Sequence, residues 1–198
     1  MIFMQTKKAL LVVDIQNDFC PGGALGVRKG DQIIPTVNKY VDLFLKNQFP
    51  VFVSRDWHPE NSKHFKESGG PWPAHCVKNT KGAEFHPDFQ VPDDAIILSK
   101  GTDPDMDGYS VFDAHDLENK PFIDLLKKMG IDELYIAGIA TDYCVRMTSL
   151  DAFKNSFKVN ILTDAIKGVD EQDSKHAIDE IVAKNGKLKI FSEVLKEL

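Results

Sequence analysis

The chain has 198 residues, 42% apolar and 27% charged, with 24 Lys+Arg against 30 Asp+Glu for a net charge of −6. That size and balance fit one globular domain over 1–198, and the acidic excess argues against a nucleic-acid partner. No apolar run approaches the roughly 20 residues of a membrane span, and three cysteines, Cys20, Cys76 and Cys144, are too few for a disulfide scaffold.

The opening MIFMQTKKALLVVDIQ runs straight into Asp14 and Gln16 without the small-residue cleavage site of a signal peptide. A first strand over 9–15 of a cytoplasmic protein is therefore predicted, continuous in its apolar residues as a strand covered on both faces should be. From 31 to 47, Ile33, Ile34, Val37, Val41, Phe44 and Leu45 recur at helical spacing, with Pro35 tolerable in the first turn. Strands follow at 51–54 and 95–98, the latter leading at once into Ser99 and Lys100. A helix around Phe122, Leu125, Leu126 and Met129 ends at Gly130, and a fourth strand covers 133–138. Its helix, 141–155, starts after two residues. A strand at 158–162, a helix at 171–184 and a short sixth strand at 188–191 complete the alternation. This order predicts an α/β fold with a six-stranded, largely parallel sheet. Residues 57–94 break the rhythm, yet they hold both tryptophans and four of the six histidines. Such a long aperiodic segment in a compact domain is usually functional or disordered, and this composition disfavours disorder.

In an open α/β sheet the ligand crevice lies outside the carboxyl ends of the strands. Asp14 follows the first strand, Asp56 and His58 the second, Lys100 the third, and Ile139-Ala140-Thr141 the fourth, leading to Cys144. With Thr141 as N-cap, Cys144 falls at the third helical position, where unpaired N–H groups favour a thiolate. That is a nucleophile's place, although a free cysteine is equally at home as a small buried hydrophobe. Asp14 at a buried strand end needs a partner, which Lys100 can supply. Carboxylate, cation and thiol together are the ingredients of nucleophilic acyl transfer, the plainer alternative being an ion pair beside an unrelated thiol. Asp56, His58, His64 and His75 could surround one divalent cation, or be surface groups in a polar loop. Phe19, Trp72 and Tyr109 could wall a flat apolar pocket. There is no G-x-G-x-x-G after the first strand, no G-x-x-x-x-G-K-[ST] and no G-x-S-x-G, so dinucleotide, triphosphate and serine-elbow readings lack support.

The segments VVDIQNDFCPGG, SRDWHPENSKHF, WPAHCV, SKGTD and GIATDYCV, in this order, resemble the nicotinamidase group of the isochorismatase-like cysteine hydrolases over 9–165. The resemblance implies a six-stranded parallel sheet with helices on both faces. It also implies hydrolysis of nicotinamide to nicotinate and ammonia, a step of NAD salvage, with pyrazinamide as a further substrate. It places the catalytic aspartate on Asp14, the lysine on Lys100 and the nucleophile on Cys144. It places one divalent ion, zinc before iron or manganese, on Asp56, His58, His64 and His75. A cis peptide bond is implied at Ile139–Ala140, an oxyanion hole at the N–H groups of Ala140 and Cys144, and substrate contacts at Phe19, Trp72, Tyr109 and Ile139. The expected partner is a small molecule, with neither nucleic acid nor membrane, and a homo-oligomer is left open. The alternatives are a metallohydrolase in which Cys144 is incidental, a relative acting on another amide, and a binding module on the same fold.

Overall fold

The apolar runs form strands buried on both faces. In the computed structural model, which describes residues 7–198, these are β1 (Lys8–Val13), β2 (Val51–Asp56), β3 (Ile96–Lys100), β4 (Glu133–Ile139), β5 (Lys158–Lys167) and β6 (Lys187–Lys189). Residues 1–6, read above as the lead-in to the first strand, lie outside the described residues. All neighbouring strands are parallel, in the order β3-β2-β1-β4-β5-β6. The helices are α1 (Ile34–Lys46), α2 (Phe122–Met129), α3 (Arg146–Lys154), α4 (Glu171–Ala183) and α5 (Phe191–Glu197).

Side-chain alternation along β1 shows why both faces are covered. Leu10 and Val12 join one apolar cluster with Val37, Tyr40 and Phe44 of α1 and Val194 of α5. Ala9, Leu11 and Val13 join the other, with Phe122 and Leu126 of α2, Ala152 of α3 and Ile181 of α4. The predicted six-stranded α/β sheet with helices on both faces is thus present. No helix among the described residues is long and apolar enough to cross a membrane.

The chain winds outward from β1 to β3, then returns to lay β4 on the opposite side of β1. Connections diverge at the β1/β4 seam, and the crevice of such a sheet opens at that switch point. Gly138 makes the seam possible. It sits opposite Val13 with φ +117°, and a Cβ there would lie 2.0 Å from the Val13 carbonyl oxygen.

Three boundaries differ from expectation. Strand β5 extends five residues further, to Lys167, and its Asp164 accepts from Tyr40 Oη at 2.7 Å and from the Phe191 amide at 2.9 Å. That second bond opens α5, reinforced by Glu193 accepting from the Ile190 amide at 2.9 Å, so a helix starts where the sixth strand was read as ending. Residues 57–94 contain short 3₁₀ turns and isolated bridges, His58 with Val77, Phe65 with Trp72, and Phe85 with Gln16. Those bridges order the segment over the carboxyl edge of β1 and β2.

Candidate active site

Asp14 leaves β1 in the left-handed region (φ 51°), a conformation aspartate tolerates better than most residues. It is fully buried, and its Oδ1 accepts from Ser54 Oγ at 2.7 Å. Lys100, the last residue of β3, is also fully buried. Its Nζ lies 2.7 Å from Asp14 Oδ2, 3.5 Å from Cys144 Sγ, and in direct contact with Asp56 Oδ1. The expected Asp14–Lys100 pair is therefore one half of a bridge. The second carboxylate follows from register, because Asp56 and Lys100 are opposed residues of β2 and β3.

Cys144 does not occupy the third position of a helix capped by Thr141. The cap position is Ala140, extended at φ −100° and ψ 146°, and Thr141–Val145 forms a π-helical turn with Cys144 as its fourth residue. Such wide turns recur at functional sites. The amides of Tyr143 and Val145 both donate to the Ala140 carbonyl, each at 3.1 Å, leaving the Cys144 amide between them. The Ile139–Ala140 peptide bond is cis. Asp142 anchors the turn from outside, accepting from the amides of Val169 at 3.1 Å and Asp170 at 2.9 Å.

Burial and charge set the protonation pattern. Burial pushes the Cys144 thiol well up, against the pull of Lys100, so the resting group is a thiol rather than the thiolate expected from a helix terminus alone. Burial would lower Lys100, but Asp14 and Asp56 outweigh it and hold the ammonium charged. The two carboxylates diverge. Burial raises Asp14 despite Lys100, with the neighbouring Asp56 adding to the rise, whereas Lys100 and His58 overcome burial at Asp56 and hold it below the usual range. Two carboxylates pushed apart in this way give one proton carrier and one permanent anion, and Asp14 is the carrier.

His58, His64 and His75 are buried, and each offers a ring nitrogen within 4.8 Å of the others. His75 Nδ1 donates to the Pro73 carbonyl at 2.8 Å, and His64 Nδ1 lies 3.2 Å from Asp107 Oδ1. These bonds turn the Nε2 atoms inward; Asp56 Oδ2 lies 4.0 Å from His75 Nε2 and 3.6 Å from His58 Nε2. Burial lowers both His64 and His75, keeping them neutral. Among the described residues neither ring nitrogen of His58 has a hydrogen-bond partner. Buried, convergent imidazoles beside a carboxylate fit a divalent cation. Gly101 makes room for the cluster, since a Cβ there would lie 2.4 Å from His58 Cε1.

Between the thiol and the imidazoles lies a narrow cavity of about 30 Å³, partly open to solvent and lined by Phe19, Trp72, Tyr109, Ala140, Cys144, His64, His75 and Asp56. Trp72 Nε1 donates to Tyr109 Oη at 2.8 Å, which locks two walls together. Ile139 does not line it; its side chain is 1% exposed and belongs to the core beside α1. Leu25, Val27, Tyr143 and Val169 complete the lining. Sequence reasoning missed these four, and for Tyr143 the adjacent Cys144 was the available signal.

A carboxylate, an ammonium and a thiol gathered at the switch point of a parallel α/β sheet, two from strand ends and the thiol from the π-helical turn, are the set of an enzyme of acyl transfer. Residues 8–192 match the family model described as Isochorismatase domain, and the chain belongs to that family. It is 41% identical over 194 residues to the nicotinamidase of Escherichia coli, covering 89% of this chain and 91% of that one. Among solved structures it resembles the pyrazinamidase of Pyrococcus horikoshii in complex with zinc (46% identity, TM-score 0.87, 93% and 99% coverage). It also resembles PnC1 from L. infantum in complex with nicotinate (31% identity, TM-score 0.83, 94% of each chain).

Proposed function

We propose that the protein hydrolyses nicotinamide to nicotinate and ammonia through a thioester on Cys144, with pyrazinamide as a second substrate and NAD salvage as the setting. The observation that carries this reading is the contact of one buried ammonium with Asp14 and with Cys144, the thiol that lines a cavity walled by Phe19, Trp72 and Tyr109. The likeness to a nicotinamidase, a zinc-bound pyrazinamidase and a nicotinate complex supports the substrate class.

Asp14 removes the thiol proton as Sγ attacks the amide carbon, so the charge moves from carboxylate to sulfur while Lys100 stays beside both. The carbonyl oxygen takes up negative charge facing the N–H groups of Ala140 and Cys144, each such donor being worth about 3 to 4 kcal/mol. Asp14 then passes its proton to the departing nitrogen, and ammonia leaves. A water deprotonated by the same carboxylate adds to the thioester, releasing the acid and restoring the thiol. Phe19, Trp72 and Tyr109 hold the ring flat, and Trp72 and Tyr109 fix each other. Asp56, His58, His64 and His75 would hold a divalent ion, zinc by the likeness to the Pyrococcus protein, which supplies a Lewis-acid anchor for a ring nitrogen. The three buried free thiols suit a reducing compartment, the cytoplasm.

Ammonia release from nicotinamide by purified protein, with metal content measured in parallel, tests the proposal. Cys144→Ser separates it from a metallohydrolase: near-normal turnover in that variant would reject the thioester route.

A further inference from the structure

Beyond β1 the chain runs past Asp14 into a short turn, Asn17–Phe19, and two polar side chains of this stretch, Gln16 and Asp18, do not line the cavity. Gln16 is fully buried and commits its whole side-chain amide to backbone. Its Oε1 accepts from the Asp56 amide at 2.7 Å, and its Nε2 donates to the Asp56 carbonyl at 2.8 Å and the Ala83 carbonyl at 2.9 Å. The β1–β2 ladder registers through Val12 and Val53, so by Asp56 the neighbouring main chain has turned away. The Gln16 side chain stands in for it, pairing both backbone groups of Asp56. Asp18 Oδ2 accepts from the Cys76 amide at 2.7 Å, directly after His75, while its Oδ1 accepts from Ala24 at 3.1 Å. Cys76 is in the left-handed region (φ 44°), a bend that this bond pins.

From these bonds we infer that Gln16 and Asp18 are positioning residues for the metal ligands Asp56 and His75. The turn that follows the catalytic strand then sets the spacing of the ligand cluster as well as the place of the base. The inference rests on the reading of Asp56, His58, His64 and His75 as a divalent-metal site. Groups that orient ligands without touching the ion govern affinity, because a ligand free to tilt binds only in part of its range.

The test compares zinc affinity, by competition with a chelator, in wild type, Gln16→Met, Asp18→Asn and Asn17→Ala. Gln16→Met keeps the volume and removes all three bonds. Asp18→Asn sets an amide N–H against a backbone N–H. Asn17→Ala is the control, since Asn17 Nδ2 ties the same turn to the Lys81 carbonyl at 2.8 Å without touching a ligand segment. The expected result is a dissociation constant raised about 10- to 100-fold in the first two and little changed in the control, with most of the wild-type kcat regained at saturating zinc. Recovery with zinc separates a displaced ligand from a damaged fold. If Gln16→Met does not fold, Asp18→Asn carries the comparison alone. Wild-type affinity in both variants, or equal loss in all three, would overturn the inference while leaving the metal site standing. A wild-type protein that takes up no zinc would remove both.

Discussion

Cys144 lines the cavity whereas Cys20 and Cys76 do not, and burial raises all three thiols, with Cys20 pushed up to about 11. Selective alkylation therefore depends on access and on the adjacent Asp14 and Lys100. Iodoacetamide is expected to label Cys144 first, and nicotinamide to suppress that labelling; peptide mapping by mass spectrometry reads both. Cys144→Ala should cut turnover by at least about 1,000-fold while retaining the fold. Lys100→Met acts differently. It leaves Asp14 and Asp56 buried without their shared counter-ion, so it should cost about 3 to 5 kcal/mol of stability as well as activity, measurable by urea unfolding. The positions of Asp14, Lys100 and Cys144 were legible because a strand end is visible in a linear pattern. The bridge from Lys100 to Asp56 was not, since it depends on which strands lie side by side. Nor was the demand on Gly101, whose constraint is an imidazole 43 positions away in the chain.

At the level of elements, the seam between β1 and β4 and the turn that follows it place the thiol against the base. Gly138→Ala would drive a methyl group into the Val13 carbonyl and part the two strands at the point where Asp14 and Cys144 meet. A loss on the order of 3 kcal/mol is expected, together with loss of activity in whatever remains folded; thermal unfolding followed beside ammonia release checks it. Strands and helices were legible to within a few residues where apolar periodicity is strong, as in α1 and β4. Helix α5 was hidden because its start rests on Asp164 and Glu193 accepting from two successive amides. The π-helical turn was hidden because T-D-Y-C-V reads as ordinary helix, and its widening comes from both flanking amides converging on Ala140.

For the molecule as a whole, ion and ring are tested together. Zinc at a hundredfold excess over its dissociation constant should stabilise the folded chain by about 2.7 kcal/mol, a rise of roughly 5 to 10 °C in Tm, and His64→Ala should abolish most of that rise. Benzamide keeps the amide and the ring but lacks the nitrogen meta to the carboxamide. It should be turned over far more slowly than nicotinamide or pyrazinamide by metal-loaded protein, and chelation should harm it least. Benzamide turnover equal to that of nicotinamide would reject an anchoring ion. The winding order of the sheet has one more consequence. Asp14, the four candidate ligands and Lys100 all precede the exposed turn at Asn119, whereas Cys144 follows it. Opened there, the molecule would yield one fragment with the base, the ammonium and the candidate ligands and another with the nucleophile and both oxyanion amides, neither competent by itself. Ammonia would form only when β4 zips onto β1 across six paired rows, so the reaction would double as a chemical reporter of fragment complementation.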